Sequence, residues 1–126
     1  MKINDLLKKY QVSLFLFPEY MWDRAGFYYP EKRIIYVNDK LSQEEREKVI
    51  LHELGHMQHN PAHYKRLLYS YENDADRFMV RHLIAEELKE YDASNFNWHK
   101  FAQRHHISTT WGETMIQEEF KKIAGF

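Results

Sequence analysis

Two histidines four residues apart, with a glutamate directly after the first, stand at His52-Glu53-Leu54-Gly55-His56. Residues four apart on an α-helix lie one above the other, so His52 and His56 can aim two imidazoles at one metal ion. Glu53 is rotated about 100° from His52. Its carboxylate falls beside such an ion, where it can take a proton from a water the ion activates. The chemistry open to this spacing is metal-assisted hydrolysis. The plainer account is an exposed amphipathic helix with two incidental histidines, because three fixed positions in five can arise by chance.

The surrounding residues predict the helix this chemistry needs. Ser42 followed by Glu45 is a capping box, each side chain satisfying an orphan amide of the first turn. Glu44, Glu45 and Glu47 suit the positive end of the helix dipole. Ile50, Leu54 and Met57 fall opposite the two histidines, so one side faces a core and the other a cleft. Asn60-Pro61 ends this helix or restarts it as another.

A catalytic zinc site usually takes three protein ligands and leaves one position open. The next helix is expected from about Pro61 to about Tyr91, and it offers the third. On its wheel Glu72 and Asp76 lie within an apolar stripe of Leu68, Ala75, Met79, Val80 and Leu83, whereas Asp74, Arg77 and Arg81 lie on the polar side. An ionised carboxylate inside such a stripe needs a partner, because desolvation costs several kcal/mol. A bound metal would be that partner for Glu72, and Asp76 could accept a hydrogen bond from the outer nitrogen of a ligating histidine. The competing account pairs both acids with Arg66 or Arg77 at a helix crossing. A set of two histidines and a glutamate favours a single Zn²⁺ over other divalent ions. His59 shares the histidine side one turn later, but Met57-Gln58-His59 lacks the glycine-bearing turn that brings in a third histidine elsewhere. His63, His82 and His99 read as surface or packing residues.

The elements around the helix point to an α+β fold, with a small, mostly antiparallel sheet packed on a helical bundle. Residues 3–10 read as an amphipathic helix, and 12–17, 25–29 and 33–38 as strands. The short Pro30-Glu31-Lys32 link predicts an antiparallel hairpin of the last two. An edge strand beside the histidine helix could align an extended substrate by main-chain pairing, or could simply cover the core. Residues 97–116 have a helix–turn–helix rhythm, with Phe101 and Ala102 in the first helix, Ile107 in the turn and Ser108 or Thr109 as the cap. Glu113, Glu118 and Glu119 on the second helix argue against a phosphate-facing surface and for a helical pair completing the core.

The chain's 126 residues suit one domain, a sheet part over 1–40 and a helical part over 41–126. The net charge of −1 supplies no field toward nucleic acid or anionic membrane. The lack of cysteine excludes disulfides and thiolate metal sites, and is compatible with a reducing compartment. The N-terminus is charged throughout and no stretch is apolar enough to span a membrane, so a cytoplasmic protein is expected.

Taken together these segments resemble the ImmA/IrrE-type metallopeptidases of bacteria and their mobile elements. The resemblance covers most of the chain. It rests on Asn38-Asp39-Lys40-Leu41-Ser42-Gln43-Glu44-Glu45-Arg46, on His52-Glu53-Leu54-Gly55-His56, on Glu72-Asn73-Asp74-Ala75-Asp76-Arg77-Phe78, and on Phe101-Ala102 with Ile107-Ser108. It implies His52, His56 and Glu72 as zinc ligands, Glu53 as the base, Asp76 as the histidine's partner, and a gluzincin-like core. It also implies a protein partner, a helix-turn-helix repressor encoded in a prophage or mobile element. Direct nucleic-acid binding is not expected, on the grounds of the net charge and the acidic second helix of the C-terminal pair. Met79 and Val80 stand where a small residue commonly follows the phenylalanine, a departure that leaves the ligand set intact. Candidate donors to a tetrahedral oxyanion are Tyr36, Tyr64, Tyr69 and His105. The rival functions are a non-catalytic partner of a repressor or a toxin–antitoxin component, the enzymatic half of such a pair, and a DNA-binding regulator using residues 97–120.

Overall fold

The computed structural model describes residues 2–125. The elements run α1 (Ile3–Lys9), β1 (Ser13–Phe17), β2 (Gly26–Tyr29), β3 (Ile34–Asn38), α2 (Gln43–Gly55), α3 (Leu68–Glu90), α4 (Trp98–Arg104) and α5 (Thr109–Ala124). Single 3-10 turns occupy His56–Gln58, Pro61–His63 and Ala93–Asn95. The class is α+β, as the patterning predicts. Two compact units divide the chain, Met1–Phe78 and Met79–Phe126, and the division falls inside α3.

In the first unit the strand order is β1-β3-β2. β2 and β3 form the expected antiparallel hairpin, Tyr29 opposite Ile34 and Phe27 opposite Tyr36. β1 lies parallel to β3 on the other side, Phe15 opposite Tyr36. Side chains alternate across the pleat, so Ile35 and Val37 are fully buried while Tyr36 on the opposite face stacks on Phe27 at 4.8 Å. α2 packs on β2 and β3 and buries Ile50, Leu51 and Leu54.

The lead-in to α2 is a set of local hydrogen bonds. Buried Asn38 accepts from the Lys40 N–H at 2.9 Å and donates through Nδ2 to the Arg24 carbonyl at 3.3 Å. Arg46 reaches back to the Leu41 and Asp39 carbonyls, at 3.0 and 2.6 Å. The Ser42 half of the expected capping box forms, while the Glu45 carboxylate takes the Ser42 hydroxyl instead of a backbone N–H. Ser42 Oγ accepts from the Glu45 N–H at 3.2 Å and donates to the Glu45 carboxylate at 3.0 Å. This segment fixes where α2 starts, and so where its histidines point.

Gly55 sets how closely α3 approaches α2. A Cβ there would lie 2.8 Å from Ala75 Cα and 3.1 Å from its carbonyl oxygen. In an open helix, Ala in place of Gly would stabilise by about 1 kcal/mol. Here the obstruction is backbone and cannot swing aside. Gly55→Ala is therefore expected to destabilise the protein by about 1–3 kcal/mol, a lowered melting temperature in calorimetry. An unchanged or raised temperature would mean that the two helices do not need this contact.

Two local expectations are corrected. α2 ends at Gly55, so Met57 sits in a 3-10 turn and lines a cleft instead of the core. Leu51 takes the buried position instead. The following helix starts at Leu68, not Pro61. Pro61–His63 is one turn capped by Asn60, and residues 61–66 are exposed, so no buried face holds them in a longer helix.

In the second unit, Asn97 caps α4 and Ser108 caps α5, each side chain accepting a first-turn N–H. Phe101, Ala102, Ile107, Met115 and Ile116 are buried, which is the helical pair the pattern predicts. Glu119 is fully buried and accepts from Arg81 Nε at 2.8 Å and Lys122 Nζ at 3.1 Å. Among the described residues, no helix is long and apolar enough to cross a membrane.

Candidate metal centre

Within the first unit the helices place three side chains around one point. His52 lies within α2, His56 caps its C-terminal end and Glu72 lies in the second turn of α3. His52 Nε2 is 3.1 Å from His56 Nε2 and 2.9 Å from Glu72 Oε2, and His56 Nε2 is 3.1 Å from Glu72 Oε1. A tetrahedral zinc with bonds of ~2.0–2.1 Å would hold its ligand atoms roughly 3.3 Å apart. The donor triangle is within a few tenths of that spacing.

The outer partners fix which ring nitrogens face inward. His52 Nδ1–H donates to Asp76 Oδ1 at 3.0 Å. His59 Nε2–H donates to Asp74 Oδ2 at 3.3 Å, which leaves His59 Nδ1 to accept from His56 Nδ1–H at 3.1 Å. His59 is held flat on Tyr71, ring centroids 3.9 Å apart. With both Nδ1 atoms committed, both Nε2 lone pairs meet beside a carboxylate. Three electron-pair donors facing one small volume repel one another unless a cation, a proton on His52 or a metal ion, lies among them. By the chemistry of their donors, His52, His56 and Glu72 fit a zinc ion.

The electrostatics agree. Burial works against a charged His52, but the Asp76 hydrogen bond and the charges of Asp76, Glu72 and Glu53 outweigh it and hold the ring above the usual histidine range. The carboxylates that draw a proton onto His52 would draw a cation to the same place. His56 is pushed down by burial and by the charge of His52. Burial favours a protonated Glu72, yet the Tyr64 hydroxyl, which donates to its carboxylate, and the two histidines hold it below the ordinary carboxylate range. Tyr64 is pushed up to about 12 by burial and by that bond.

Glu53 stands beside the three and accepts a hydrogen bond from the Tyr28 backbone on β2. Burial pushes it up to about 7, with His52 opposing and Glu72 adding to the rise. A group poised there can both take and return a proton near neutral pH. All four residues open on a cleft of about 570 Å³. Arg24, Phe27, Tyr28, Pro30 and Arg33 form its sheet side, and Met57, His59, Pro61 and Tyr64 its other side.

Compared with known proteins, residues 7–120 match the IrrE N-terminal-like domain of peptidase family M78. The chain belongs to this family. No curated protein sequence matches it.

In this M78-family chain the structure brings some of the candidate residues to one cleft and not others. Of the candidate oxyanion donors, only Tyr64 lines the cleft. Tyr36 is stacked on Phe27, Tyr69 is 88% exposed, and His105 lies in the second unit, 3.9 Å from Glu87. His59 is set aside as a ligand by the sequence, but its ring meets that of the candidate ligand His56, and Asp74, read as a polar-face residue, meets His59 in turn. The signal was a histidine three residues after His56, near enough on one helical side to touch it.

The Asp76 contact is testable. Asp76→Ala is expected to weaken zinc binding about 10–100-fold, the usual worth of a carboxylate behind a ligating histidine, in competition against a chelating indicator. Unchanged affinity would show that Asp76 does not orient His52.

Proposed function

We propose that this chain is a zinc-dependent metallopeptidase that cleaves, and so inactivates, a helix-turn-helix repressor of a prophage or mobile element. The observation that carries the catalytic half is the meeting of His52 Nε2, His56 Nε2 and the Glu72 carboxylate beside a half-buried Glu53. The repressor half is supported by the resemblance of the chain's motifs to anti-repressor peptidases.

His52, His56 and Glu72 would hold the ion. When bound, zinc supplies Lewis acidity, lowering the pKa of a water toward ~7 and polarising a carbonyl. The chain's own groups do the rest. Glu53 takes the proton of the attacking water on a carboxylate oxygen and returns it to the leaving amine. Tyr64 keeps the Glu72 carboxylate ionised and aimed, and it lines the cleft; to donate to the developing oxyanion its single O–H would swing away from Glu72. β2 is an edge strand forming one side of the cleft, so an extended peptide could pair along it.

The test is to incubate the purified, zinc-loaded protein with the regulator encoded beside its gene, with and without a chelator. Cleavage that the chelator abolishes supports the proposal. Tight binding without cleavage under either condition would replace it with the non-catalytic partner reading.

A further inference from the structure

One charged group in the cleft is not used by the chemistry above. Arg24 lines the same cleft as His52, Glu53, His56 and Glu72. Its position is fixed from two directions. Its carbonyl accepts from buried Asn38 Nδ2 at 3.3 Å, and the next carbonyl, of Ala25, accepts the Asn38 N–H at 2.8 Å. Its guanidinium lies over the Phe27 ring, 5.2 Å from the centroid, and is thereby held against the cleft side.

Among the described residues, Arg24 has no carboxylate at ion-pair distance. The two acids of the cleft are otherwise engaged: Glu72 with Tyr64, His52 and His56, and Glu53 with the Tyr28 backbone. Arg24 and Glu53 line the same cleft without forming an ion pair. Arg33 adds a second positive charge on the same side, its own donors given to the Tyr10 and Gln11 carbonyls. A peptide laid along β2 would therefore run past a fixed cation with a free fork of N–H donors, the geometry that binds a carboxylate through two bonds.

We infer that Arg24 is a specificity-determining residue that selects peptides with an acidic side chain within a residue or two of the scissile bond. This rests on the peptidase reading and narrows its substrate class. A basic side chain at that place would be repelled, and a neutral amide would leave the guanidinium half-satisfied.

The test is direct binding and needs no turnover. The probes are phosphinic pseudopeptides in an alanine background, in which one residue at a time, on either side of the phosphinic group, is Glu, Gln or Lys. Their affinities for the zinc-loaded full chain are measured by calorimetry, for the natural sequence and for Arg24→Gln and Arg24→Glu. At one position or more, Glu should bind about fivefold or more tighter than Gln, and Lys weaker still. Arg24→Gln should flatten that ranking and Arg24→Glu should invert it, with zinc affinity unchanged in both. The same ranking in all three proteins, or no ranking at any position, overturns the inference while leaving the peptidase reading in place. No zinc-dependent binding of any probe overturns both.

Discussion

Glu53→Gln is expected to keep its zinc and lose its turnover, with kcat on a cleaved regulator falling about 10²–10⁴-fold, the contribution typical of a positioned acid–base group. The substitution is nearly isosteric. Its carbonyl oxygen can still accept from the Tyr28 backbone, and Glu53 is not one of the three residues whose donor atoms converge. What is lost is the ability to hold a proton between two steps. Burial already pushes Glu53 up to about 7, so exchanging it for a neutral amide removes a charge the fold only partly accommodates. Thermal stability should then be equal or slightly higher. Zinc content by elemental analysis and kcat from the same preparation separate the outcomes. Zinc retained with activity lost assigns the base. Activity retained would exclude Glu53 from proton transfer, and zinc lost would make it part of the binding set.

The parts of this site legible in the sequence are those governed by the helical period. The four-residue spacing puts His52 and His56 on one face, and the structure has their Nε2 atoms 3.1 Å apart. Glu72 and Asp76 stood out because an apolar stripe has no other use for two acids, and both side chains do meet His52. The Ser42 cap and the β2–β3 hairpin followed from equally local rules. The parallel pairing of β1 with β3 was not legible, because it is decided by contacts far apart in sequence. Nor were Arg24 and Met57 as cleft residues, and Tyr64 stood out only as one of four candidate donors. They reach it from turns and irregular segments, and no periodicity announces where such segments run. His59 was missed for a different reason: asking only whether it was a ligand hid its contact with the candidate ligand His56.

The second large effect concerns Glu72, and it tests the site without any substrate. Zinc that binds the folded chain and not the unfolded one must stabilise it. At a concentration a hundred times the Kd the shift is about 2.7 kcal/mol, or roughly 10 °C in melting temperature for a chain of this size. Glu72→Gln keeps the shape of the side chain and its capacity to accept from Tyr64. It replaces an anionic ligand with a neutral amide, a far poorer partner for zinc. An outer carboxylate placed like that of Asp76 typically contributes about 10–100-fold in affinity. A direct ligand must be worth more, so Glu72→Gln should weaken zinc at least a few hundredfold and erase the zinc-dependent rise in melting temperature at the same metal concentration. The metal-free variant should fold, since Glu72 is partly exposed and its removal relieves no core contact. A rise as large in Glu72→Gln as in the natural chain would mean that the histidines bind zinc with some other third partner. Because the triangle of His52, His56 and Glu72 is the one group of this kind among the described residues, the peptidase reading would then have lost its geometric basis.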